Sequence, residues 1–205
     1  MSRTPYARVR QAGREALRRL ILDTASRLLE TEGPQALTMR RIAGEVGCST
    51  TVLYTALGGK TGIAEALWRE GFDRLNSAVA NAGGDGPLQR LAAVGRAYRA
   101  SALANRSYYA IMFQRPIPGF QPSAEAYRES LKPLTFLVEA VKACIVAGVF
   151  RPGDPHHIAS VLWAAVHGAV SLELAGYEGA VDAEATFADL SAATAAWFRS
   201  PTARD

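Results

Sequence analysis

Residues 38–60, Thr-Met-Arg-Arg-Ile-Ala-Gly-Glu-Val-Gly-Cys-Ser-Thr-Thr-Val-Leu-Tyr-Thr-Ala-Leu-Gly-Gly-Lys, constrain the fold of this chain more than any other stretch. Thr38 suits a helix N-cap, because its hydroxyl can accept from a free backbone N–H of the first turn. Ile42, Ala43 and Val46 then fall at helical spacing and form one apolar face. Gly47 follows at once, and glycine takes the positive-φ conformation that ends a helix without steric cost. Ser49 is placed to cap the next helix, whose buried side is supplied by Val52, Leu53 and Leu57. Two helices of about two turns therefore meet across a turn of three to four residues, the helix-turn-helix arrangement. Ala43 is small where the two must approach.

The outer face of the second helix suits a nucleic-acid duplex. Thr50, Thr51 and Thr55 carry short hydroxyls able to bond a phosphate or a base edge, and the Tyr54 phenol can reach a phosphate while its ring packs. Lys60 stands at the start of the next helix, where ammonium and backbone N–H groups together favour an anion. Charge is distributed to match. Residues 1–60 hold ten Arg/Lys against five Asp/Glu, net +5; residues 61–205 hold thirteen against fourteen, net −1, and the two sum to +4. A basic end on a near-neutral body is the electrostatic footprint of a DNA reader with a separate second domain. Arg3, Arg8, Arg10, Arg14, Arg18 and Arg19 crowd the entrance. They fit an arm or first helix along phosphates, with Arg3 or Arg8 entering the minor groove. A solvated tail fits Arg3, Arg8 and Arg10 equally well, since termini fray. Residues 1–9 are read as this basic arm.

With Arg19–Leu29 upstream and Gly33 after it, the segment resembles the tetracycline-repressor (TetR) family of one-component transcription regulators, over roughly residues 15–65. The resemblance implies that Thr38, Arg40, Thr50, Thr51, Tyr54 and Lys60 face DNA; Ser49 and Thr55 join them by position. It implies a roughly palindromic operator bound by a dimer, usually in repression. The family often has His and Phe where this chain has Ala56 and Leu57, so one possible phosphate contact is missing.

Helical periodicity continues to the end, with little strand-like alternation, so the chain is expected to be all-α with about nine helices. The DNA-binding domain is placed at 1–60 and an effector-binding and dimerisation domain at 61–205. The fourth helix carries Leu67, Trp68, Phe72, Leu75 and Val79 in phase. Pro87 opens the fifth. A seventh helix follows the loop Gln114–Pro122, with Leu131, Leu134, Val138, Val141, Ile145 and Val149 in phase and Pro133 early in it or kinking it. Asp154-Pro155 opens the eighth, which is apolar nearly all round and needs cover on both sides. Ala183–Arg199 makes the ninth. Helices around 157–175 and 183–199 are expected to pair with a second copy as a four-helix interface. Within the eighth, Trp163, His167 and Gly168 resemble the Trp–His–Gly signature of one C-terminal domain class of the same family.

A largely hydrophobic effector is expected between the sensor helices, a common site for ligands in bundles. The candidate lining is Trp68, Phe72, Tyr98, Tyr109, Met112, Phe113, Phe136, Trp163 and His167. Aromatics at helical spacing also build ordinary cores, and His167 fits either an effector contact or a bond to a neighbouring helix. Other classes lack support. There is no G-x-S-x-G, phosphate-cradling glycine loop or metal-ligand spacing, so no enzyme, metal or cofactor is expected. Cys48 and Cys144 form no disulfide framework and no secretory signal precedes the motif, which fits a reducing cytoplasm. The most apolar stretch, Ile158–Val170, reads as too short for a membrane span. The competing reading is a small-molecule-binding helical protein that has lost specific DNA binding.

Overall fold

The computed structural model describes residues 4–177 and 182–201. Among these are ten α-helices and one 3-10 turn, so the all-α expectation holds. The helices are α1 (Pro5–Glu32), α2 (Met39–Val46), α3 (Thr50–Leu57), α4 (Lys60–Ala80) and α5 (Pro87–Ala104). They continue as α6 (Arg106–Phe113), α7 (Ala124–Ser130), α8 (Lys132–Val146), α9 (Pro155–Leu174) and α10 (Ala183–Trp197). They divide into two compact units, formed by the described parts of Met1–Gly71 with Ser107–Tyr127, and of Phe72–Arg106 with Arg128–Asp205.

In the first unit α1 begins earlier than the sequence reading placed it. Thr4 accepts from the Ala7 N–H at 3.3 Å and Pro5 occupies the first helical turn, so residues 5–9, read as an arm, are helical. Proline costs nothing there, because that N–H would lack an intrahelical partner anyway. Arg3 lies outside the described residues. Ile21, Leu22 and Leu28 of α1, Ile42 of α2, Leu53 of α3 and Leu67 of α4 share one core. Tyr108 and Ile111 of α6 join it, which is why packing extends this unit beyond residue 60. The Ser26 hydroxyl donates to Ser107 Oγ at 2.6 Å, and the Tyr108 hydroxyl to Asp23 Oδ1 at 3.0 Å, tying α6 to α1. Glu65 of α4 accepts from both the N–H and the hydroxyl of Ser123, at 3.0 and 2.6 Å, and so anchors the loop between α6 and α7. Those bonds hold its carboxyl below the usual carboxylate range.

The second unit packs α5, α8, α9 and α10. Val138, Val141 and Cys144 of α8 meet Ile158, Ala159 and Leu162 of α9, together with Phe150 and Phe198. The expected seventh helix is two elements: α7 ends at Ser130, and α8 restarts after Leu131 with Pro133 in its first turn. Asp154 caps α9 by accepting from the His156 N–H at 3.0 Å, and Asp182 caps α10 by accepting from the Ala185 N–H at 2.9 Å. The α9 helix has 20 residues, longer than the apolar stretch read from sequence, and by length and composition alone it could cross a membrane. Its packing against α8 and α10 gives it a place in the bundle instead.

Candidate nucleic-acid interface

The motif read in residues 38–60 is built from two short helices with left-handed glycine stops. Thr38 Oγ1 accepts from the Arg41 N–H at 3.2 Å, and Gly47 ends α2 with φ 76°. Ser49 stands at the N-cap of α3, but its side chain makes no capping bond, contrary to the sequence expectation. Gly58 closes α3 with φ 74°. The joint to α4 depends on Gly62, because a Cβ there would lie 1.6 Å from the Leu57 carbonyl oxygen. Lys60 is thereby held at the first turn of α4, three residues beyond the end of α3.

Leu53 and Leu57 point into the core, Val52 is half-buried, and Thr50, Thr51, Tyr54, Thr55 and Ala56 are exposed. Tyr54 is 56% exposed, and its ring flanks Gly59. Thr55 differs from its neighbours. Its hydroxyl donates to the Thr51 carbonyl at 2.9 Å, which leaves lone pairs for a base N–H or N–H₂ but no proton for a phosphate. Thr38, Arg40, Ser49 and Lys60 are exposed on the same unit. Among the described residues Arg40 and Lys60 have no carboxylate in ion-pair reach.

Sequence reasoning missed what fixes α2 against α1. Arg41 donates to both Glu32 oxygens, at 2.6 and 3.2 Å, and to Glu45 at 2.8 Å, while Arg27 reaches Glu45 at 2.7 Å. Hydrogen bonding from Arg41 holds Glu32 below the usual carboxylate range; Glu45 is lowered by Arg27 first and then by Arg41. The one available signal was the Arg41/Glu45 spacing, an i,i+4 pair.

The nine candidate sensor residues divide between the units. In the first, Trp68 stands edge-on to Phe120 with centroids 6.2 Å apart, and Tyr109 contacts Phe113 at 4.9 Å. Met112 packs where a Cβ on Gly71 would meet its sulfur at 2.7 Å. In the second, Phe72 is buried and Phe136 half-buried, while Tyr98, Trp163 and His167 come together. The Tyr98 hydroxyl and His167 Nδ1 are hydrogen-bonded at 2.7 Å, and the Trp163 ring lies 5.7 Å from the imidazole. Burial lowers the His167 pKa, favouring the neutral ring. Beside this cluster Arg99 clasps Glu173 through two bonds of 2.7 and 2.8 Å and stacks 5.4 Å over Phe187. A surface pocket of about 340 Å³ lies elsewhere in the unit, between the start of α9 and the end of α10, with Arg151, His157 and Trp197 in its wall; none of the nine lines it.

The fold and the exposed face of α3 define an all-helical DNA-binding regulator. Family models agree at both ends: residues 21–67 match "Bacterial regulatory proteins, tetR family", and residues 91–194 match "Tetracyclin repressor-like, C-terminal domain". The chain belongs to the TetR family of transcription regulators. It is 24% identical over 201 residues to the HTH-type transcriptional regulator Rv1816 of Mycobacterium tuberculosis, covering 83% of this chain and 86% of that one. A protein of unknown function from Rhodococcus sp. RHA1 is 27% identical with a TM-score of 0.78, over 90% of this chain and 96% of that one. The TetR-family regulator PfmR of Thermus thermophilus shares the fold at 19% identity and a TM-score of 0.67, over 83% and 94% of the two chains.

Proposed function

We propose that this regulator represses transcription as a dimer on a roughly palindromic operator and is released by a small, largely hydrophobic effector. The observation that carries the reading is the exposed Thr50–Thr51–Tyr54 face of α3, with the unpaired cations Arg40 and Lys60 on the same compact unit. Short hydroxyls and a phenol read base edges and phosphates, and point charges fix the register. In the dimer, two α3 helices enter successive major grooves about one helical turn apart. Residues 1–60 read DNA. Residues 61–205 bind the effector and dimerise through α9 and α10, whose exposed apolar residues include Trp163, Leu172, Leu190 and Trp197. The protein acts by binding and not by catalysis, in the bacterial cytoplasm.

The effector is met in the second unit, where the Tyr98–His167 pair is the polar handle. A ligand that prefers one tilt of α4 changes the spacing of the two α3 helices. The loss of DNA affinity is bounded by its differential affinity for the two states. The test is selection of duplexes from a random pool, followed by gel shifts at several salt concentrations. Wild type should enrich a palindrome and bind it with a steep salt dependence. A Tyr54→Ala/Lys60→Ala variant should lose about tenfold or more, since one or two good contacts are each worth ~1–3 kcal/mol. Enrichment of nothing, or affinity unchanged in the variant, would favour a small-molecule-binding protein without specific DNA recognition.

A further inference from the structure

The recess between the start of α9 and the end of α10 is built by residues that neither the DNA reader nor the sensor cluster uses. After α8 the chain turns back and pairs with the end of α10. Phe150 and Arg199 form an antiparallel bridge, the Arg151 N–H donates to the Phe198 carbonyl at 2.9 Å, and the Ser200 N–H donates to the Val149 carbonyl at 3.0 Å. That clamp fixes the backbone of Arg151. Its side chain is held as well, because the guanidinium lies 5.5 Å from the Trp197 ring centroid and 5.7 Å from that of Phe198. Stacking engages only the faces of the guanidinium; its five N–H donors lie in the plane and stay available. Among the described residues no acceptor meets them and no carboxylate stands in ion-pair reach of Arg151. A cation is thus held in place with its hydrogen-bonding edge unused.

We propose that this recess is a second ligand site, separate from the sensor cluster, and that it takes a small monocarboxylic acid carrying a single ring. Its volume of about 340 Å³ lies at the lower end of the ~300–1,000 Å³ usual for small-molecule sites, room for one ring and a short side chain. Arg151 and the His157 imidazole stand in the wall, and the planar fork of the arginine matches both oxygens of a carboxylate. Ile158, Val161 and the 71% exposed Trp197 supply the apolar side, with an indole against which a ring can stack. Asp154 sets the charge limit. It also lines the recess, and one of its oxygens is engaged in the α9 cap, accepting from the His156 N–H at 3.0 Å. Its negative charge repels a phosphate dianion about twice as strongly as a monoanion, since the repulsion scales with the charge. Every residue of the wall belongs to one chain, and Tyr98, Trp163 and His167 take no part in it. The site therefore stands whether or not the effector reading does.

The experiment titrates phenylacetate into the isotope-labelled full-length protein and follows the indole N–H resonances of its three tryptophans, assigned through Trp163→Phe and Trp197→Phe. The Trp197 resonance should shift and saturate at one acid per chain, while those of Trp68 and Trp163 stay in place. Arg151→Gln should weaken binding about tenfold or more, as loss of a forked, charge-assisted contact requires. Arg151→Lys should recover only part of it, because an ammonium cannot fork. Phenethyl alcohol, of similar shape without the charge, should bind wild type at least tenfold more weakly, and inorganic phosphate should not displace the acid. That comparison needs no variant and decides the matter if Arg151→Gln does not fold. Tyr98→Phe/His167→Asn should leave the affinity unchanged. The proposal is overturned if the Trp197 resonance does not move at millimolar acid, or if the alcohol or the Arg151→Gln variant binds as well as the wild-type pairing. A shift at Trp163 that Tyr98→Phe/His167→Asn abolishes would place the acid in the sensor cluster and overturn it too. So would binding that appears only on dilution, which would show a second copy seated in the recess.

Discussion

At three glycines the same added methyl group meets three different obstacles. At Gly62 it would meet the Leu57 backbone carbonyl at 1.6 Å, and backbone cannot swing aside. Gly62→Ala should therefore cost about 2–3 kcal/mol, lowering Tm by roughly 5–10 °C, and loosen the joint that places Lys60 beside α3. At Gly71 the obstacle is the Met112 sulfur at 2.7 Å, the pliable end of a flexible side chain, so Gly71→Ala should cost less. At Gly58 nothing lies within 4 Å, and only the φ of 74° opposes a side chain, a cost of about 1 kcal/mol. Thermal unfolding of the three variants should give that order; a Gly62→Ala protein as stable as Gly58→Ala would show that the joint relaxes. His167 makes a separate residue-scale prediction. Its folded pKa is lowered by burial, so the unfolded chain binds the proton more readily. The stability contribution is complete above the unfolded value of about 6.5 and is lost as pH falls through the folded value. His167→Asn keeps an acceptor near the Tyr98 hydroxyl but cannot titrate. Denaturant midpoints measured from pH 7.5 downward should fall less for this variant than for wild type, and parallel curves would rule out His167 as the titrating group.

Elements were legible where the signal is local. The cap at Thr38, the stop at Gly47, and the openings at Pro87 and Asp154-Pro155 all follow from a few adjacent residues, and the helices stand where those signals put them. The start of α1 carries an equally local signal: Thr4-Pro5 is the same cap-then-proline grammar as Asp154-Pro155. The break at Leu131 follows from Pro133, which has no N–H to donate into a preceding turn. Pairings across long separations were not legible, because no local pattern encodes them. Arg99 and Glu173 are 74 residues apart, yet they join α5 to α9 through two bonds with the Glu173 side chain only 9% exposed. Arg99→Ala should lower Tm by several degrees, in keeping with about 1–3 kcal/mol for a charge-assisted pair that leaves its partner poorly solvated. Arg99→Lys should recover only part of this, since an ammonium can neither fork onto both carboxylate oxygens nor stack on Phe187 as a plane. A lysine variant indistinguishable from wild type would mean that charge alone joins the two helices.

For the whole molecule the decisive question is what covers α9 and α10. The α9 helix is apolar along its length, yet Trp163 is 37% and Leu172 52% exposed in the single chain, and Trp197 of α10 is 71% exposed. A folded chain in water gains by burying such a surface, and two copies meeting face to face about a two-fold axis would bury it on both partners at once. Leu172→Glu separates this from a merely untidy surface. In an isolated chain the site is open, so the substitution should shift stability by no more than about 0.5 kcal/mol. In a dimer it would place two unpaired carboxylates in the interface, and desolvating them costs far more than the packing the leucines supplied. Sedimentation equilibrium at micromolar concentration should show wild type as a dimer and Leu172→Glu as a folded monomer. Operator affinity should fall by two or more orders of magnitude with it, because each half-site must then be bound without the effective concentration that the second reader supplies. Affinity for a single half-site should stay as in wild type, since α3 and its cations are untouched. A Leu172→Glu protein that remains dimeric would move the interface off this part of α9, and one that is monomeric yet binds the full palindrome as tightly as wild type would sever dimerisation from operator recognition.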